Sequence, residues 1–181
     1  MEDRPVLPST EPLTPRSPHA RRWLVIGALA ATLAASSSLA SWRDDHAILI
    51  NTTQSLPNWA FWIDKHRRPV RGDFVVFAPP QTPLITAHFG SVSPPFAKRV
   101  YGMPGDMVTR ENGVVRINGA EVARLKPVSS RGERLAPGPT GRIPEHCYYV
   151  GTEHKDGLDS RYADIGFVCL ARIIGTGDSV L

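Results

Sequence analysis

Two cysteines in 181 residues are too few for the disulfide framework of a small secreted domain, though they suffice for one bridge. Charge is scarce as well. Asp, Glu, Lys and Arg make up 21% of the chain and the net charge is +4, which favours neither a nucleic-acid-binding stripe nor a fully disordered chain. No Gly-x-Ser-x-Gly elbow, no His-Glu-x-x-His and no Cys-x-x-Cys occurs, so the common hydrolase and zinc signatures are absent. His146, Cys147 and His154 stand close together, but their spacing matches no standard zinc pattern, and neither a metal nor a cofactor is expected. There is no internal repeat and no strongly amphipathic helix. What the chain has in excess is turn formers: 17 prolines and 15 glycines, together about 18% against an ordinary value of roughly 12%. The length suits one domain with a short appendage, rich in turns and dominated by β-strands.

The appendage is N-terminal. Residues 1–22 carry five prolines and no apolar periodicity, which reads as a disordered tail on the cytoplasmic side. Residues 23–42 then run from Trp23 to Trp42 without a charge. As a helix this run spans about 30 Å, the thickness of a bilayer's hydrocarbon core. Arg21 and Arg22 precede it and a Trp stands at each end, the pattern of a positive-inside anchor with interfacial aromatics. A cleaved signal peptide remains open, since Ser38-Leu39-Ala40 has the small-x-small form of a cleavage site. Under either reading residues 43–181 lie outside the cytoplasm.

Beyond Trp42 the apolar runs are short and β-rich: residues 47–50, 74–77, 114–117, 148–150 and 167–170, each bounded by Gly, Pro, Asn or Asp. Asn118-Gly119 predicts a type I′ hairpin after Ile117, and Asn112-Gly113 a second turn before Val114, giving an antiparallel meander. Residues 79–97 and 126–144, rich in Pro, Gly and Ser, read as long loops. Cys147 and Cys169 fall in the last two predicted strands, where a cross-strand disulfide and two buried thiols are both open.

Three segments carry the chemistry: Asn51-Thr52-Thr53-Gln54-Ser55-Leu56-Pro57, the string Lys98-Arg99-Val100-Tyr101-Gly102-Met103-Pro104-Gly105-Asp106, and Asp159-Ser160-Arg161-Tyr162. Singly they are a polar strand end, a solvated basic pair followed by a turn, and a loop. In this order, behind a membrane segment, they resemble the bacterial type I signal peptidase family over nearly all of residues 43–181. The Lys-Arg-Val-x-Gly-x-Pro-Gly-Asp string is the most specific element, and Gly72-Asp73-Phe74-Val75 and residues 107–122 resemble the family's neighbouring strand and hairpin. The small size, the Ser55-Leu56-Pro57 spacing and Asp-Ser-Arg-Tyr lean towards its conjugal-transfer TraF branch. Two positions depart from the family pattern: Gly157 stands where a Ser is usual, and Tyr162-Ala163-Asp164-Ile165-Gly166 replaces a shorter Tyr-aromatic-Gly.

The resemblance implies a signal-peptidase-like antiparallel β domain at residues 43–181 in the periplasm, behind one transmembrane helix in the bacterial inner membrane. It implies Ser55 as nucleophile and Lys98 as general base, with the Ser55 N–H and the Thr53 hydroxyl forming the oxyanion hole. Arg99, Asp159 and Arg161 are expected as structural support for Lys98. The chemistry is consistent with those residues: a lysine serves as a base only when neutral, and burial lowers its pKa by penalising the charged form. Phe96-Ala97 and Val100-Tyr101 flank Lys98 and offer such a seat. Leu56, Pro57, Trp59, Phe61 and Trp62 are either core or a membrane-facing rim. The expected activity is processing of exported precursor proteins, in the TraF branch a prepilin of a conjugative type IV secretion system. Cyclisation of the pilin, general signal-peptide cleavage and a non-catalytic role in the conjugation apparatus are the alternatives. The expected partners are a precursor protein and membrane lipid, with no nucleic acid. A self-cleaving Ser–Lys repressor is excluded, because a membrane segment occupies the place of its DNA-binding domain.

Overall fold

The computed structural model describes residues 18–50 and 56–180. Two units divide the chain at Trp42. The first contains most of helix α1 (Pro18–Asp45). Its stretch His19–Asp45 has a mean hydropathy of 1.7 over an 18-residue window, so by length and composition it is able to cross a membrane. Trp23, Leu29, Leu33 and Leu39 are all exposed on it. The polar residues in this apolar run satisfy themselves within the helix: Thr32, Ser36 and Ser37 donate to the carbonyls of Ala28, Leu33 and Ala34. Residues 18–22, expected in the tail, form the start of α1; the rest of that tail lies outside the described residues.

The second unit, Arg43–Leu181, is mainly antiparallel β. Its strands are β1 (His46–Ile50), β2 (Ala60–Asp64), β3 (Phe74–Phe77), β4 (Phe96–Gly102), β5 (Met107–Glu111), β6 (Val114–Ile117), β7 (Ala120–Arg124), β8 (Gly141–Arg142), β9 (Cys147–Gly151), β10 (Val168–Cys169) and β11 (Ile173–Ser179). A seven-stranded sheet has the order β1-β2-β11-β3-β4-β9-β10, and a four-stranded sheet the order β7-β6-β5-β8. The smaller sheet is the expected meander. Asn112 and Gly113 (φ 50° and 76°) and Asn118 and Gly119 (φ 50° and 87°) both take the left-handed conformations that a type I′ turn requires.

Three features depart from the expected pattern. Residues 79–97 are not one loop. Thr82 caps the short helix α2 (Pro83–Phe89), its side chain accepting the Ile85 N–H, with Pro83 in the first turn, and β4 begins at Phe96. Lys98 is therefore on a strand. Strand β11 falls outside the apolar runs of the sequence, because Gly175 and Gly177 interrupt residues 173–179. Those glycines are needed where the strand crosses Ile63: a Cβ at either position would come within 2.5 Å of the Ile63 side chain. β11 pairs with β2 and β3 and so joins the first and last strands of this unit in one sheet.

Candidate active site

Strand β4 alternates between buried and half-buried positions, and Phe96, Lys98, Val100 and Gly102 take the buried ones. A lysine at a core position of a strand is unusual enough to need a reason. Lys98 is 5% exposed, and its Nζ lies 5.9 Å from the centre of the Phe96 ring. Burial lowers the pKa of its amine to about 8; Asp159 pulls it up and Arg161 pushes it down. Lys98 opens into a cleft of about 310 Å³, walled by Ile50 at the end of β1, Leu84 and Phe89 of α2, Val128 and Leu135 of the 126–144 segment, and Leu158. The lining is largely apolar, so a neutral amine is stable there and an extended apolar chain fits it.

Behind Lys98 lies a buried ion pair. Arg161 grips Asp159 in two-pronged fashion, Nε to Oδ1 at 2.8 Å and an Nη to Oδ2 at 2.9 Å. Burial pushes the Asp159 carboxyl upward and Arg161 works against it; the paired geometry is that of an ionised pair. Arg99 is not part of this network. It points to the opposite face of β4, with its guanidinium 4.9 Å above the Phe74 ring. Thr152, which sequence reasoning passed over, is held by both members of the pair and is buried with them. Its only sequence signal is its place directly after an apolar strand.

Ser55 and Thr53 lie outside the described residues, which resume at Leu56. Ile50, the last residue of β1, lines the cleft beside Lys98. Cys147 and Cys169 are joined by a disulfide that ties β9 to β10. The apolar run after Ser55 is divided: Leu56 and Phe61 are buried, whereas Trp59 and Trp62 are 55% and 41% exposed. The Pro104-Gly105-Asp106 turn is a structural knot. The Asp106 carboxylate accepts from the Met103 N–H, Arg71 and Asn118, which lowers its pKa against the opposing effect of burial. Among the described residues no cluster of His, Cys, Asp and Glu is arranged to hold a metal.

A lysine that loses its proton only slightly above neutral pH, at the wall of an apolar cleft in a β domain, has the properties of a general base acting on an extended chain. A family model described as signal peptidase, peptidase S26, matches residues 20–181, and the chain belongs to that family of serine peptidases. The conjugal transfer protein TraF of Agrobacterium fabrum (strain C58 / ATCC 33970) is 29% identical over 146 residues, covering 71% of this chain and 82% of that protein. Signal peptidase I of Bacillus caldolyticus is 32% identical over 95 residues, 46% of this chain and 51% of that one. A crystal structure of a signal peptidase I from Enterococcus faecalis V583 covers 60% of this chain and 96% of its own, at 27% identity and a TM-score of 0.38. The family implies precursor substrates that bear signal peptides, and with the apolar helix α1 it points to a membrane-anchored protein.

Proposed function

We propose that this chain is a membrane-anchored serine endopeptidase that processes exported precursors, with Ser55 as nucleophile and Lys98 as general base. The observation that carries the reading is Lys98: a buried amine with its pKa lowered to about 8, at the wall of an apolar cleft. Residues 51–55 follow directly on Ile50, which shares that wall, and this supports Ser55 as the partner. In the proposed reaction Ser55 Oγ attacks the scissile carbonyl and passes its proton to Lys98 Nζ. The Ser55 N–H and the Thr53 hydroxyl stabilise the oxyanion. The Lys98 ammonium then protonates the leaving amine, and water, deprotonated by the same lysine, releases the acyl group.

Residues 23–42 serve as the inner-membrane anchor and residues 43–181 as the periplasmic catalytic domain. The exposed Trp59 and Trp62, with Ile48 opposite Trp62 across β1–β2, support contact between this edge of the sheet and membrane lipid. The TraF relative, which covers more of this chain than the signal peptidase I relatives do, supports a prepilin of a conjugative secretion system as the precursor. The test is to incubate detergent-solubilised wild type, Ser55→Ala and Lys98→Ala with such a prepilin and to weigh the products by intact mass spectrometry. Cleavage by wild type alone is expected. Cleavage by either variant at the wild-type rate would overturn the dyad, and a product lighter than the trimmed chain by one further water would identify a cyclase.

A further inference from the structure

Two walls of the cleft that holds Lys98 are tied to each other by side chains. One wall is α2. Ile85 is buried in the core, and Phe89 packs edge-on against Phe96 with ring centres 4.9 Å apart. That fixes the helix and leaves Leu84 and His88, four residues apart on one face, lining the cleft. The other wall is a finger formed by residues 127–135, within a stretch that reads as loop in the sequence. Its backbone closes on itself. The Leu135 N–H donates to the Pro127 carbonyl at 3.0 Å and the Ser129 N–H to the Glu133 carbonyl at 2.8 Å, with Val128 opposite Arg134. Val128, Ser129, Ser130 and Leu135 of this finger line the cleft.

His88 and Glu133 join the two walls. Glu133 Oε1 lies 3.0 Å from His88 Nε2, and its other oxygen accepts the Ser129 hydroxyl. Hydrogen bonds from Ser129 and His88 hold the Glu133 carboxyl below its usual range. It is therefore ionised and only accepts, which makes His88 Nε2 the donor. Little else holds the finger. None of residues 126–137 is buried. At its base Lys126 pairs with Asp156, and the Tyr162 hydroxyl accepts the Lys126 N–H at 3.1 Å. A segment with so few buried contacts opens at small cost compared with unfolding the domain.

We propose that the 127–135 finger is a lid, latched by the His88–Glu133 pair, that parts to admit a precursor sideways and closes again over it. The proposal rests on the reading of Lys98 as the base of an endopeptidase. Such an enzyme cuts a chain that continues in both directions, so its substrate cannot thread a bridged cleft end first. It has to enter from the side, and the bridge between the walls has to part. The cleft of about 310 Å³ exists with the latch closed, which leaves room for the latch to re-form over a bound chain.

The test uses full-length protein in detergent. In His88→Cys/Glu133→Cys the two new thiols are the only free ones, because Cys147 and Cys169 are joined to each other. They are either bridged by a short bismaleimide or capped separately with N-ethylmaleimide. Each form is given a signal-peptide-bearing precursor and a short peptide with free ends that spans the same cleavage site. Relative to the capped protein, the bridged protein is expected to cleave the precursor more slowly by about tenfold or more, and the peptide within about twofold. Equal cleavage of the precursor by both forms would overturn the lid. Equal loss of both substrates would overturn it too, since a distorted site would then account for the loss. The latch is read separately by hydrogen exchange. In His88→Ala, exchange across residues 127–135 is expected to speed up about fivefold or more with β9 unchanged. Unchanged exchange in the finger would overturn the latch. Should wild type cleave neither substrate, the peptidase reading falls and hydrogen exchange alone decides on the latch; it also decides if the double cysteine variant fails to fold.

Discussion

Lys98 is stored strain in electrostatic form. An unfolded chain returns its amine to a pKa near 10.5, whereas the fold holds it at about 8. Between those values the unfolded state binds more protons than the native state, so this group's contribution makes stability rise with pH across the interval. Below pH 8 the native state carries a buried ammonium at full cost. Lys98→Met is therefore expected to abolish cleavage and yet to raise stability at pH 7 by an amount on the order of 1–3 kcal/mol. The gain should shrink as pH rises from about 8 to 10.5. Denaturant unfolding of the two proteins at pH 7 and pH 10 checks it; equal stability at pH 7 would mean that the ammonium is solvated. For the same reason cleavage by wild type should rise with pH through about 8, as the base loses its proton.

Among the elements, the small sheet shows how local chemistry sets register. Asn112-Gly113 and Asn118-Gly119 were legible because a type I′ turn demands positive φ at both central residues, and both pairs adopt it. A Cβ at Gly119 would meet nothing within 4 Å, so Gly119→Ala isolates the backbone cost of φ +87°. The expected loss is about 1 kcal/mol, measured as a shift in the urea midpoint with unchanged slope. The Asp106 knot adjoins this hairpin, since Asn118 bonds the carboxylate through its side-chain amide. From the sequence Pro104-Gly105-Asp106 was only a turn. Its reach to Arg71, 35 residues away, is a tertiary fact. α2 was hidden for the opposite reason: seven residues are too short for helical periodicity to register, and only the Thr82 cap and Pro83 signal it.

For the whole molecule, the disulfide belongs to the outermost strand of the large sheet. β10 is two residues long and pairs with β9 alone, so Cys147–Cys169 holds an edge that has little else to hold it. A bridge spanning 22 residues restricts the unfolded chain by about 3 kcal/mol in the chain-entropy account. The double variant Cys147→Ser/Cys169→Ser is expected to lose stability of that order under non-reducing conditions, with a smaller effect on cleavage, because Lys98 sits on β4 and is separated from β10 by β9. Loss of cleavage at full stability would contradict this assignment of a structural role.

Composition, turn pairs and the uncharged run were enough to determine a β-dominated domain behind an apolar helix, because each of those signals is local: φ > 0 at Asn-Gly, period two in a strand, a charge-free run of bilayer length. The order of the motifs along the chain likewise carries the resemblance to the family. Tertiary structure alone decided that β11 lies between β2 and β3 and needs glycines against Ile63. It alone turned Arg99 away from Asp159, since neighbouring residues of a strand face opposite sides. And it alone brought the Asp159–Arg161 pair behind Lys98, whose strand lies some sixty positions earlier, because strand pairing and packing join distant segments and no local pattern encodes them.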